Sequence, residues 1–179
     1  MDLEQQMETV VIRCRSGDRE AFEELFELYQ PRLKYYVRRM NGTGFDTDDI
    51  LQEIWLTVVR KIHKLKNTRS FTIWLYRIAR NQVYARFRNK QKFVQLPEEE
   101  HLPHYNDAEP VFSAEDAERL HKAMNNIHPY HREVLTLSFV EQMSYQAIAD
   151  VVGCSLGTVR SRIFYAKQSL RKVMERQNG

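Results

Sequence analysis

The chain has 179 residues, with 27 Lys and Arg against 24 Asp and Glu and a formal charge of +3, enough for one medium domain or two small ones. No apolar run approaches the roughly 18 residues that a membrane span needs, and the first residues, with Asp2, Glu4 and Glu8, lack the basic start of a signal peptide; no membrane insertion and a cytoplasmic location are expected. Cys14 and Cys154 lie far apart without CxxC or Cys/His spacing, so they suggest buried thiols rather than a disulfide framework or a metal site, and no cofactor is implied.

In chain order the pattern is helical. Leu3 to Arg15 is a short amphipathic segment that Gly17 and Asp18 break and recap, and Ala21, Phe22, Leu25, Phe26, Leu28 and Tyr29 open a second helix. Pro31 is a candidate kink before that helix resumes through Leu33, Tyr36, Val37 and Met40. Asp46 or Thr47 caps a third helix, whose inward stripe is Ile50, Ile54, Val58, Ile62 and Leu65. Asn67 to Arg69 form a loop, Ser70 can cap again, and a long helix runs from Phe71 to about Lys90.

On a wheel of that long helix, Phe71, Trp74, Leu75, Ile78, Gln82 and Ala85 fall on one side as a core face, and Tyr76, Arg77, Arg80, Tyr84, Phe87 and Arg88 on the other. Rings interleaved with arginines suit single-stranded DNA, because cations track phosphates while rings accept unstacked bases. The plainer reading is that Tyr76, Tyr84 and Phe87 cover a neighbouring helix.

Charge is segregated along the chain. No acidic residue lies between Glu53 and Glu98, where eleven lysines and arginines fall, whereas Leu96 to Leu120 is acidic. Residues 96–112, with Pro97, Pro103 and Pro110, have no periodicity and read as an extended linker between domains at 1–95 and 113–179. Two basic blocks with an acidic connector suit two modules that face nucleic acid. Ser113 restarts the helical pattern with Asp116 completing a capping box and Leu120, Met124 and Ile127 inward. Pro129 opens a helix carrying Val134, Leu135 and Phe139.

The stretch from Ser144 to Leu170 is the most specific signal. Ser144 caps a short helix with Ile148, Ala149 and Val152 on its apolar face, and Gly153 stands where a sharp break requires positive φ. Ser155 caps a second helix, with Leu156, Val159, Ile163, Ala166 and Leu170 inward and Ser155, Thr158, Arg160, Ser161, Arg162 and Tyr165 outside. This is a helix-turn-helix pattern, in which the second helix enters the major groove.

The whole resembles a bacterial RNA polymerase sigma factor of the extracytoplasmic-function group. The matching runs are Asp48-Asp49-Ile50-Leu51-Gln52-Glu53-Ile54-Trp55, Phe71-Thr72-Ile73-Trp74-Leu75-Tyr76-Arg77-Ile78-Ala79-Arg80-Asn81, His131-Arg132-Glu133-Val134-Leu135, Ser144-Tyr145-Gln146-Ala147-Ile148-Ala149 and Gly157-Thr158-Val159-Arg160-Ser161-Arg162. The resemblance implies an all-α fold of two small helical domains, regions 2 and 4, and a non-enzymatic role in transcription initiation. It implies core-polymerase contacts, to the largest subunit and the flap, with Asp48, Asp49, Ile50, Gln52, Glu53 and Trp55 as the binding helix. Minus-ten DNA, melted to single strands, would be held by Asn67, Thr68, Arg69, Ser70, Arg77, Arg80, Asn81, Tyr84 and Arg88, with the loop from Leu65 to Ser70 and Asn81 at the positions that capture a flipped base in the family. Double-stranded minus-thirty-five DNA would be read by Ser155, Thr158, Arg160, Ser161, Arg162 and Tyr165, although Tyr165 replaces an arginine frequent there. The linker corresponds to the segment that the family threads through the polymerase channel, and an anti-sigma factor is a further partner the resemblance allows. A stand-alone dimeric helix-turn-helix regulator is the competing reading; it would need a dimerisation face and has no use for the Asp48 to Trp55 helix. An enzyme is more distant, since no nucleophile triad, phosphate loop or ligand spacing stands out.

Overall fold

A computed structural model describes residues 3–42, 46–90 and 122–177. The chain divides into two compact units, Met1–Val94 and Gln95–Gly179. The expected linker at 96–112 and the capping box at Ser113 and Asp116 lie outside the described residues.

The first unit is built on α1 (Leu3–Arg15), α2 (Arg19–Asn41), α3 (Thr47–Lys61) and α4 (Phe71–Lys90). Gly17, at φ +86°, turns the chain between α1 and α2, and the Asp18 carboxylate caps α2 by accepting from the Ala21 N–H at 3.2 Å. Arg13 donates to Asp18 at 2.8 Å and to Glu24 at 3.1 Å, which ties the end of α1 to the start of α2. The Asp18 carboxyl lies below the usual carboxylate range because of the Ala21 N–H and then Arg13. Cys14 is buried as expected, and burial pushes its thiol up to about 11; Cys154, expected to be buried too, is half-exposed.

One helix runs through Pro31. Pro31 sits on the exposed side of α2, so the hydrogen bond it cannot donate is lost at the surface rather than in the core and the element runs on. Asp46 caps α3, accepting from the Asp48 N–H at 2.8 Å, and the expected stripe of Ile50, Ile54, Val58, Ile62 and Leu65 is buried in full.

Two 3-10 turns, Ile62–Lys64 and Thr68–Ser70, lead into α4. Asn67 rather than Ser70 is the capping residue: its side chain accepts from the Arg69 N–H at 3.1 Å, and Ser70 already lies within the turn that runs on into Phe71. On α4 the buried residues are Phe71, Leu75, Tyr76, Ile78, Ala79 and Val83, while Trp74, Gln82 and Ala85 are half-buried. The expected core face is therefore rotated. Because α4 packs against both α2 and α3, its covered arc is wider than a single stripe and takes in Tyr76.

The second unit contains α5 (Pro129–Leu135), α6 (Tyr145–Val152) and α7 (Leu156–Gln177). His128 caps α5 through Nδ1, which accepts from the Tyr130 N–H at 3.3 Å. After Leu135 the chain widens into a π-helical turn, Thr136–Val140, closed by the Glu141 N–H on the Thr136 carbonyl at 3.2 Å. The extra residue shifts the register. Leu137 is buried, whereas Phe139 is 48% exposed beside exposed Val140.

Ser144 caps α6 by accepting from the Ala147 N–H at 3.1 Å, and Gly153 ends it in the left-handed region at φ 73°, donating to the Ala149 carbonyl at 2.9 Å. Ser155 caps α7, accepting from the Thr158 N–H at 3.1 Å. Val159, Ile163, Ala166 and Leu170 are buried against α5 and α6, and Leu156 is half-buried. Among the described residues, no helix is long and apolar enough to cross a membrane.

Candidate nucleic-acid interface

Helices α6 and α7 form the anticipated helix-turn-helix, and Gly153 with the two serine caps fixes its turn. Along the outer face of α7, Ser155 and Arg160 are exposed, and Thr158, Ser161, Arg162 and Tyr165 are half-buried. The Ser155 and Thr158 hydroxyls lie 2.8 Å apart, and Ser161 Oγ donates to the Gly157 carbonyl at 3.1 Å, so these three hydroxyls are partly engaged with the start of their own helix. Arg162 is oriented differently from Arg160. Its guanidinium lies 5.5 Å from the Tyr130 ring centre, a cation–π contact with α5.

Tyr130 belongs to a cluster that pattern reading missed. The His128 ring lies 5.1 Å from the Tyr130 ring and 5.9 Å from that of His131. Burial holds both imidazoles below their ordinary pKa, helped by Arg132 and Arg162 at His128 and by His128 and Arg162 at His131. The available signal was the His-Pro-Tyr-His run at the start of a helix.

In the first unit, Asn67 and Arg69 are exposed and Thr68 and Ser70 half-buried. The Thr68 hydroxyl donates to Glu8 Oε1 and Arg69 Nε donates to Glu8 Oε2, both at 3.0 Å. Glu8, absent from the expected site, thus joins α1 to this turn, and its carboxyl is held below the usual range by Arg69 and then Thr68. Beside them lies a cavity of about 390 Å³ lined by Gln5, Met7, Glu8, Thr68, Arg69, Phe71 and Thr72.

Further along α4, Arg77, Asn81 and Arg88 are exposed, and Arg80, Tyr84 and Phe87 are half-buried. Arg80 lies 4.5 Å over the Tyr84 ring, which meets Phe87 at 6.5 Å. Tyr76 does not join this face; it is fully buried against Tyr36.

On α3, Asp48, Asp49, Gln52 and Glu53 are exposed, and Asp48 pairs with Lys34 at 2.9 Å. Ile50 and Trp55, expected as contact residues, are buried at 1% and 7% exposure. Trp55 donates to Gln30 at 2.6 Å and packs on Phe22 and Phe26, so its part is to seat the helix. Leu56 and Val59, which follow Gln52 at helical spacing, are exposed instead. Their i+4 and i+7 positions outside the core stripe were the overlooked signal. The polar edge and these two apolar residues make one continuous strip, suited to a protein partner with an apolar and basic surface. Among the described residues, no group of three or more His, Cys, Asp or Glu could hold a metal ion.

The chain matches the Sigma-70 region 2 family over residues 25–93 and the Sigma-70 region 4 family over residues 117–170. It is 31% identical to the RNA polymerase sigma factor CarQ of Myxococcus xanthus, across 90% of this chain and 94% of that protein. It is 26% identical to the ECF RNA polymerase sigma factor SigW of Bacillus subtilis, across 96% of this chain and 98% of the relative. Among solved structures, the sigma factor RpoE in complex with the anti-sigma factor NepR, from Bartonella quintana, has the same fold, with a TM-score of 0.66 at 20% identity over 86% of this chain and 96% of that one.

Proposed function

The chain belongs to the extracytoplasmic-function group of sigma-70 family sigma factors, which direct promoter-specific transcription initiation, and on that premise we propose how its residues divide the work. The first unit binds core RNA polymerase through the α3 strip of Asp49, Gln52, Glu53, Leu56 and Val59. It then holds the melted minus-ten strand between the Asn67–Ser70 turn and the α4 face of Arg77, Arg80, Asn81, Tyr84 and Arg88. The second unit seats α7 in the major groove of the minus-thirty-five element, with Arg160 at a base edge and Arg162 on a phosphate. The linker at 96–112 lies in the polymerase channel, and the chain works in the cytoplasm.

The observation that carries this reading is the pairing, in one chain, of a capped helix-turn-helix with a separate unit whose α4 exposes arginines around half-open aromatic rings. A duplex reader alone has no use for the second feature. The stand-alone regulator gains no support from the relatives. The same α3 strip, with its exposed apolar residues, is where an anti-sigma factor would compete with polymerase.

Pull-down of core RNA polymerase with the full chain, followed by run-off transcription on genomic fragments, tests the assignment. Capture of core enzyme and initiation from discrete start sites are expected. Operator binding without core capture would overturn the reading.

A further inference from the structure

The turn Thr68–Ser70 has no buried residue of its own, so nothing in a core fixes its shape. It is held from outside by two devices. Asn67 caps it, and the Glu8 carboxylate reaches across from α1, sixty residues earlier in sequence, to take one hydrogen bond from Thr68 and one from Arg69. The Glu8 side chain is 26% exposed and that of Arg69 is 80% exposed, and ion pairs so open to water add little to folding. Their geometric effect is larger. Each oxygen of one carboxylate is committed to a different residue of the turn, which fixes the direction of two consecutive side chains.

The same carboxylate borders the cavity of about 390 Å³ between α1 and the turn, within the usual size range of small-ligand sites. Gln5 and Met7 belong to its α1 wall, and Thr68, Phe71 and Thr72 to the opposite one. Glu8 also pairs with Arg69 on the turn proposed above to meet the melted strand. An unpaired arginine there would attract any single strand regardless of sequence.

We propose that Glu8 of α1 is a positioning residue for minus-ten reading, setting Thr68 and Arg69 for one extruded base and holding Arg69 back from sequence-blind phosphate contact. This rests on the reading of the Asn67–Ser70 turn as the base-capturing loop. The N-terminal helix is then part of the specificity apparatus as well as of the fold.

The test uses holoenzyme assembled from core polymerase and the full chain, as wild type and as Glu8→Ala, Glu8→Gln and Asn67→Ala. The probe is a single-stranded DNA library with a randomised minus-ten hexamer, sequenced after binding at several salt concentrations. Glu8→Ala is expected to lower the base preference at one position by about fivefold or more, the loss expected for a displaced base contact. It should also steepen the salt dependence by about 0.7 in the log–log slope, as the released Arg69 finds a phosphate. Glu8→Gln, which keeps an acceptor but not the charge, should recover part of the preference and retain the steeper slope.

If Asn67→Ala flattens one position while Glu8→Ala and Glu8→Gln leave every preference intact, the role of Glu8 is overturned and the loop reading stands. If Asn67→Ala also leaves every preference intact, the loop reading falls with it. Equal flattening at all positions, or loss of core assembly by both Glu8 variants, would mark Glu8 as merely structural and overturn the proposal.

Discussion

Tyr36 of α2 and Tyr76 of α4 meet edge to face in the first unit, their ring centres 5.3 Å apart at 85° and neither ring exposed. Eight residues further along α4, Tyr84 lies half-open beneath Arg80. Two tyrosines that share a wheel face therefore differ in setting, one in the core and one half-open on the face proposed to meet DNA.

Tyr76→Ala removes a fully buried ring and its partner contact, and should destabilise the first unit by about 3–5 kcal/mol. Urea unfolding of the full chain, followed by circular dichroism, measures this. A loss below about 1 kcal/mol would mean that the ring is not a core element.

Tyr84→Ala and Asn81→Ala should leave folding nearly unchanged and slow open-complex formation more than closed-complex binding, because each removes a group on the single-strand face. Permanganate reactivity of promoter thymines over time reports strand opening directly. Normal opening in both variants would show that the face is only structural.

Glu53→Lys reverses a charge on the exposed edge of α3, and Val59→Asp puts a carboxylate on its apolar part. Both should weaken core polymerase binding, with stability changing by less than about 0.5 kcal/mol. Titration of labelled full chain with core enzyme gives the affinities; unchanged values would remove α3 from the interface.

Arg160 and Arg162 should separate by their readout. Arg160→Ala is expected to cost about 1–3 kcal/mol on the cognate minus-thirty-five element and to relax specificity at one base pair. Arg162→Ala, which removes the guanidinium lying over Tyr130, should weaken all sequences alike and lower the salt slope by about one. Competition binding by holoenzyme on single-base duplex variants at several salt concentrations distinguishes the two.

The second unit should lose stability in mild acid. His128 and His131 are held below the ordinary imidazole pKa in the folded chain, so below about pH 6.5 the unfolded chain binds more protons than the native one. The stability is present in full above that value and falls as the pH drops towards the folded pKa values. Thermal unfolding at pH 7.5 and 5.5 should show the loss, and His131→Gln should reduce it.

Much of the second unit was legible because its signals are local. Ser144, Gly153 and Ser155 act within three or four residues of themselves, and each does in the structure what its side chain or missing Cβ predicts. The α3 stripe was legible for the same reason. For Tyr76 two readings stood side by side, and the choice of burial depends on α2 and α3 together embracing α4, which no single-helix wheel contains. The proposed contact strip on α3 was only half legible: the acidic edge follows from charge, whereas the burial of Trp55 depends on Phe22, Phe26 and Gln30 from another helix. Glu8 could not be read at all, because its partners lie sixty positions away.

The π-helical turn at Thr136–Val140 makes chain length, as much as residue identity, the determinant of which side chains that segment shows to its surroundings. One surplus residue there carries the end of the turn about 100° further around its axis, which is how Phe139 and Val140 come to face outward. Substitutions at those two exposed sites should be absorbed with little disturbance. Deleting a single residue from the turn would swing the surface through more than a quarter of a revolution, so insertions and deletions of one are the changes this segment can least accommodate.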